Sequence, residues 1–322
     1  MVLVAGVNAQ VAVRGADDSR AGSFVSTGGQ VRQQYERFAN EEWGAEVPDA
    51  DGYWLERYMF QLDARLSRRV RLYGELKSGI EIGRAGGHAV RWLDQGRTKG
   101  ADLYYLGYRR KEATFDQGQG RELRHSWGAR FWKASGALDY NVEAVVQTGH
   151  FANTDIRAWT IASDTGYPIG AAGRPRFGLR ADITSGDRDR NDDRLGTFNP
   201  LFPKGAYFGL IASAGPSNHM DLDPQVTVNP RDGLVMTASW LFFWRRQVDD
   251  GIYGIPGNLV RSGQGTRSRL VGPSPGVEVE WQVTEHLSMT GNASLFTAGP
   301  FIQESGPART IGFTAVWATY RF

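Results

Sequence analysis

The chain has 322 residues, no cysteine and a formal net charge of +2 at neutral pH. So small an imbalance gives no electrostatic ground for a nucleic-acid partner, and no run approaches eighteen apolar residues, which excludes a membrane-spanning helix. Forty-one glycines, ten tryptophans, twelve tyrosines and sixteen phenylalanines suit strands, turns and aromatic girdles rather than helices.

Taken from the amino terminus, residues 1–10 form a short apolar run in which Val7, Asn8 and Ala9 suit a signal-peptidase site, although no basic segment precedes it. Residues 1–25 are therefore expected to be the remnant of a leader or a flexible amino terminus, and residues 26–322 a single domain. From there apolar and polar residues alternate along the chain, the period of a strand whose two faces meet unlike surroundings. Strands are expected over 26–38, 53–66, 69–81, 101–112, 121–135, 137–149, 153–164, 174–186, 218–228, 233–247, 267–284, 286–299 and 308–322. In one of them Leu234, Met236, Ala238, Trp240 and Phe242 alternate with Thr237 and Ser239; in another Val277, Val279, Trp281 and Val283 alternate with Glu278, Glu280 and Gln282. Strands of about ten to fifteen residues exceed what a soluble sandwich uses and suit tilted crossings of a bilayer, where about 9–11 residues span the hydrocarbon. Because only every second residue is apolar, the mean hydropathy stays negative. The absence of cysteine agrees with the oxidising bacterial envelope.

Link lengths give an independent sign. Counted from the carboxyl end, the links near Thr284, 229–232, 135–136 and 67–69 are short, while those at 248–266, 187–217 and 38–53 are long, as in outer-membrane barrels with short inner turns and long outer loops. The link at 165–173 is intermediate. An odd number of strands cannot return the chain to its starting side, so a short strand at 88–94, turning at 95–100, is required, giving about fourteen strands within a range of roughly twelve to sixteen. The expected fold is thus all-β: an antiparallel, up-and-down transmembrane β-barrel. Phe322, Tyr320, Ala318 and Val316 end the chain on an aromatic with apolar residues at every second position before it, which resembles the carboxyl-terminal pattern read during barrel insertion.

The stretch Ser185-Gly186-Asp187-Arg188-Asp189, followed by Leu195-Gly196-Thr197-Phe198-Asn199-Pro200-Leu201-Phe202-Pro203-Lys204-Gly205-Ala206-Tyr207-Phe208, resembles the signature of the bacterial alginate-export family of outer-membrane proteins. Residues 115–118, 139–143, 156–160, 250–254 and 315–322 resemble it too. The resemblance implies a Gram-negative outer-membrane location and a barrel of about eighteen strands in its longer members. Against those members, the section between Gly83 and Asp102 reads as excised, an even loss that a closed barrel tolerates.

If apolar positions face lipid, their alternates line the lumen, and these are rich in charge. Arg57, Gln61, Asp63 and Arg65 share one face of their strand, as do Arg71, Glu75 and Lys77. Arg124 and Arg130, Glu143 and Gln147, Arg157, Arg180 and Asp182, Arg245 and Arg321 are assigned inward from later strands. Fixed cations at many weak sites suit the passage of an anionic polymer, and the resemblance names alginate as that polymer. The competing role for each residue is an ion pair that braces the wall.

Asp187, Asp189, Asp192 and Asp193 crowd oxygen ligands into one loop, but without the spacing of a calcium loop; a solvated outer loop is expected, with cation binding as the alternative. His125 and Ser126 are adjacent on a strand and point to opposite sides, so they cannot act as base and nucleophile. His88, His150, His219 and His286 have no metal-ligand spacing, and no glycine-rich phosphate loop is present. The sequence therefore points to a monomeric, non-enzymatic channel without metal or cofactor, whose partners are the lipid bilayer and an anionic polysaccharide or small anions. A general diffusion porin, or a shortened or engineered barrel serving as a nanopore scaffold without native transport, are the alternatives.

Overall fold

A computed structural model describes residues 24–45, 53–65, 71–82, 99–170, 172–201 and 205–322. All thirteen strands expected from the alternation are found: β1 (Phe24–Ala39), β2 (Tyr53–Arg65), β3 (Arg71–Ile82), β4 (Lys99–Phe115), β5 (Gly118–Lys133), β6 (Asp139–Phe151), β7 (Thr154–Pro168), β8 (Arg176–Thr184), β10 (His219–Arg231), β11 (Leu234–Arg245), β14 (Leu270–Gln282), β15 (Leu287–Phe296) and β16 (Ile311–Arg321). The short elements β9 (Arg194–Leu195), β12 (Ile252–Tyr253), β13 (Leu259–Arg261) and helix α1 (Pro300–Ser305) lie in the loops. The strand expected at 88–94 falls outside the described residues. β1 starts at Phe24, two residues inside the segment assigned to the leader or flexible terminus.

The long strands form one sheet in the order β3-β2-β1-β16-β15-β14-β11-β10-β8-β7-β6-β5-β4, every neighbour antiparallel, and β9 brings its strand number to fourteen by pairing parallel to β7. Neighbouring long strands of the chain pair with one another except β3 and β4, which are the two ends of the described sheet, and β1 meets β16 with Gln30 opposite Arg321. A further bond runs from the Gly29 amide to the Phe322 carbonyl (2.9 Å). This joins the first and last described strands edge to edge, as an up-and-down barrel requires.

Alternation decides what each strand shows to either side. On β5, Glu122, Arg124, Ser126 and Arg130 are buried, while Leu123, Trp127 and Phe131 are exposed. On β11, Leu241 and Phe243 are buried and Trp240 is exposed. Large exposed side chains recur on every well-described strand, among them Leu103, Val146, Ile161, Phe177, Val277 and Val316. This continuous apolar outer surface is what a bilayer covers. The turns at 134–138, 232–233 and 283–286 are short, the link between Pro168 and Arg176 is longer, as expected, and Gly233 adopts φ +76° in the Asp232-Gly233 hairpin.

The opposite end carries the long loops, which fold inward. Trp43, Phe208, Phe243, Phe296, Phe301, Ile302 and Phe313 lie in one buried cluster, and Phe115, Phe151, Ile156, Leu195, Phe198 and Tyr253 in another. The apolar core is therefore inside the outer end of the barrel, built from lumen-facing strand residues and loop residues together. The bare Gly128 backbone is covered by the ring of its cross-strand partner Tyr104. We expect Gly128→Val to displace that ring and to destabilise the barrel by about 1–3 kcal/mol, seen as a lower midpoint of heat-modified migration in detergent; an unchanged midpoint would show that the ring does not need the glycine.

Candidate transport lumen

Below the in-folded loops, the lumen wall is a lattice of charge held by register. Asp164 of β7 lies opposite Arg180 of β8, which lies opposite Asp223 of β10. Arg180 reaches Asp164 at 3.2 Å and Asp223 at 3.9 Å and stacks over Tyr207, while Arg176 pairs with Asp139 and lies 3.6 Å from Asp164. Arg130 accompanies them one strand pair away, donating to Asn141 (2.8 Å), lying 3.6 Å from Asp102 and stacking on Trp132. The Tyr104 hydroxyl donates to Glu143. Both Arg176 and Arg180 remain about a quarter exposed, so the lumen can see them.

Higher up, charges are buried and tie the loops to the wall. Arg124 is fully enclosed and donates to Glu122 (2.7 Å), Gln147 (2.6 Å) and the Thr197 carbonyl (3.1 Å). Gln147 and Asn199 exchange two further bonds, from Asn199 N to Gln147 Oε1 (3.1 Å) and from Gln147 Nε2 to the Asn199 carbonyl (2.9 Å). Asn199 also donates to Glu122 (3.1 Å). The segment 197–199, in the loop after β8, is thereby strapped against the inside of β5 and β6, with Phe198 driven into the apolar cluster.

Asp250, fully buried in the loop after β11, is the second tie. It accepts from Thr197 Oγ1 (2.6 Å), the Asp187 amide (2.9 Å), Tyr253 Oη (2.6 Å) and the Gly251 amide (2.8 Å). Asn218 donates to the carbonyls of Gln247, Asp250 and Gly251 at 2.9–3.0 Å. Asp116 joins the β4–β5 turn to the same assembly by accepting from Ser262 (2.5 Å) and the Gly263 amide (2.8 Å).

Of the residues that the sequence assigned to the lumen, Arg130, Arg180, Asp182 and Glu143 face it or lie buried in its wall, and Arg321 sits half-buried on the same face at the inner rim. Arg124 and Arg245 also face inward, but both are enclosed: Arg245 donates to the carbonyls of Ser268, Val248 and Asp250 and packs over Phe301 at 4.0 Å. They hold loops. Arg157 is a correction. Its neighbours Ile156 and Ala158 are buried, whereas Arg157 is exposed on the outer face with Ile161; the apolar residues point inward here because Leu195 and Phe198 fill the lumen beside them.

For β2 and β3 the register alone is described. Arg57 is the partner of Arg32, Arg65 of Arg71, and Gln61 of Glu75, while Lys77 pairs with Met59. The backbone sets Arg57 and Arg65 in alternation with the exposed Tyr58 and Phe60, and Arg71, Glu75 and Lys77 in register with that alternate set.

Asp221 and Asp223 were not among the expected lumen residues, and His219 was weighed only as a metal ligand; all three are buried in the wall, with a 2.7 Å contact between His219 Nε2 and Asp221. Their alternation with Met220 and Leu222 was the signal. His125 points outward to Tyr105 (2.6 Å) and Ser126 inward to Gln147 (3.0 Å).

The four aspartates of the outer loop do not converge. Asp187 is buried and accepts from the Gly196 amide (2.7 Å); Asp189 and Asp192 accept from amides two residues on, and Asp193 lies 3.7 Å from Arg194. Among the described residues no three acidic or histidine side chains are grouped to hold a metal. Burial, reinforced by the charges of Asp250 and Asp192, pushes the Asp187 carboxyl up to about 7, against the bond from Gly196.

The model of the alginate export family matches residues 60–311. The chain belongs to the alginate-export family. No curated protein sequence matches it significantly. Solved outer-membrane proteins share its fold at low identity. They include an anion-selective porin from Comamonas acidovorans (TM-score 0.53, 10% identity, covering 93% of this chain and 100% of that one). The channel DcaP of Acinetobacter baumannii (0.51, 11%, 94% and 99%) and OccK11 of Pseudomonas aeruginosa (0.51, 12%, 93% and 96%) are similar in the same degree. This alginate-export barrel is accordingly an outer-membrane channel of a Gram-negative bacterium.

Two outcomes follow for its strap. Arg124→Met leaves buried Glu122 with Arg110 (2.9 Å) as its remaining cationic partner beside the Asn199 amide, and we expect a loss of about 3 kcal/mol together with faster proteolysis within 185–218; unchanged cleavage would remove the strap role. A carboxyl whose folded value is raised favours the packed loop below its unfolded value of about 4 and loses that contribution as pH rises to about 7. Cleavage of the same loop should therefore quicken from pH 4 to 7 and level off above, and Asp187→Asn should flatten the curve; an unchanged curve in the variant would assign the dependence elsewhere.

Proposed function

We propose that this barrel is a passive, monomeric channel for an anionic polysaccharide of the alginate type, moving along a basic wall formed by β1, β2 and β3. One observation carries the reading: Arg32 stands directly opposite Arg57, and Arg65 opposite Arg71, on lumen-facing positions. Two arginines opposite each other across the sheet offer a passing carboxylate a pair of fork-shaped donors at one level of the wall. Weak, repeated sites of this kind admit a polyanion without trapping it.

The strapped segment 197–199 favours a second occupant, a small anion, because Phe198 and its neighbours take up lumen beside β5–β7. Recording in planar bilayers under a salt gradient separates the two. For the polymer reading, the reversal potential gives anion preference and added oligomannuronate reduces the current, while Arg32→Gln with Arg57→Gln weakens both effects severalfold. Anion preference without block by the oligomer supports the small-anion occupant. Cation preference would overturn both.

A further inference from the structure

The outer face of β4–β7 carries a group of cations that the lumen account leaves unused. Arg109, Lys111, Arg121 and Arg157 are all exposed. Each lies on the outward side of its strand: Arg109 alternates with Tyr108 and Arg110, Arg121 adjoins the buried Glu122, and Arg157 lies between the buried Ile156 and Ala158. The register break between Arg110 and Ala113 sets Lys111 and Glu112 together against Arg121, so that both are exposed. No ion pair or hydrogen bond to a described residue engages any of the four cationic side chains. The nearby acids are occupied, Glu112 by Gln119 (2.6 Å) and Asp155 by His150 (3.0 Å).

Register fixes where these cations stand relative to the membrane. Tyr105, Trp127, Val146 and Trp159 lie in one cross-strand row, and Tyr105 and Trp127 are exposed with ring centroids 5.7 Å apart. Such aromatic pairs mark the boundary between hydrocarbon and headgroups. Arg157 is one outward-facing row nearer the loops, opposite Thr148; Arg109 is in the next row, opposite Leu123, and Arg121 beyond that. The four cations therefore stand at headgroup depth on the side of the long outer loops, spread over strands spaced about 4.8 Å apart.

We infer that this patch binds the phosphate groups of the phosphorylated glycolipid in the outer leaflet of the outer membrane. Charge complementarity selects the occupant: arginine forks match phosphate oxygens in bidentate fashion, and the spread over three strands, β4, β5 and β7, suits a headgroup carrying more than one phosphate. A loop network folded inward leaves this flank of the barrel open to it.

Binding to the purified full-length barrel in detergent tests the site, with lipid A, bis-dephosphorylated lipid A, phosphatidylglycerol and inorganic phosphate as probes. Saturable binding of lipid A at least tenfold tighter than of the other three is expected. The variant R109Q/K111Q/R121Q/R157Q should lose about that factor, whereas K99Q/K133Q, at the opposite rim, should not. Heat-modified migration checks that each variant is folded, and R157Q alone, expected to lose severalfold, serves should the quadruple variant fail to fold. Equal binding of dephosphorylated lipid A or of phosphatidylglycerol, or unchanged affinity in the folded variants, would overturn the assignment.

Discussion

Hydrocarbon gives the backbone no water to bond, and an unpaired amide there costs several kcal/mol. Among the described residues the sheet answers this constraint by pairing consecutive long strands from β4 through to β16, β16 with β1, and β1 through β2 to β3. Once the backbone is satisfied within the sheet, the pleat leaves each strand two independent faces. One must match lipid, and the other is free to hold charge. The division on β5, with Trp127 and Phe131 outside and Arg124 and Arg130 inside, follows from that two-residue period alone.

The lumen then divides by depth. Toward the inner end, arginines and carboxylates are partly exposed, and Arg176 and Arg180 are balanced by Asp139, Asp164 and Asp223 without being enclosed. Toward the outer end, loops fill the space, and fully burying side chains such as Phe198 or Tyr253 contributes roughly 1.5–3 kcal/mol each. The polar ties of Arg124, Asp250 and Asn218 add directional bonds that choose one loop arrangement among many apolar ones. The same residue type thus serves two ends. An arginine reached by solvent can meet a permeant ion, and one enclosed by carbonyls positions a loop.

The thirteen described long strands, the link lengths and most of the facing were legible because each depends on residues two apart or on adjacent strands. All thirteen expected strands lie within a few residues of their observed places. Arg157 shows where that reasoning ends. It was assigned inward because apolar neighbours were equated with lipid, yet Ile156 and Ala158 face Leu195 and Phe198, which arrive from a loop nearly forty residues away. The tie between Asp116 and Ser262 joins residues separated by 146 positions; no local period records such a contact. His219, Asp221 and Asp223 were visible in the alternation, but a search for cations passed over them.

A membrane barrel requires above all a two-faced strand standing in a bilayer, and β5 offers the most direct measurement. The chain has no native cysteine, so single nitroxide labels placed at each position from 126 to 132, in barrels reconstituted into vesicles, report collision with oxygen and with a water-soluble relaxing agent. Oxygen contact should peak at the odd positions, Trp127 and Phe131 among them, and fall at the even ones. Equal access of the water-soluble agent to both sets, with no two-residue period, would contradict a membrane barrel.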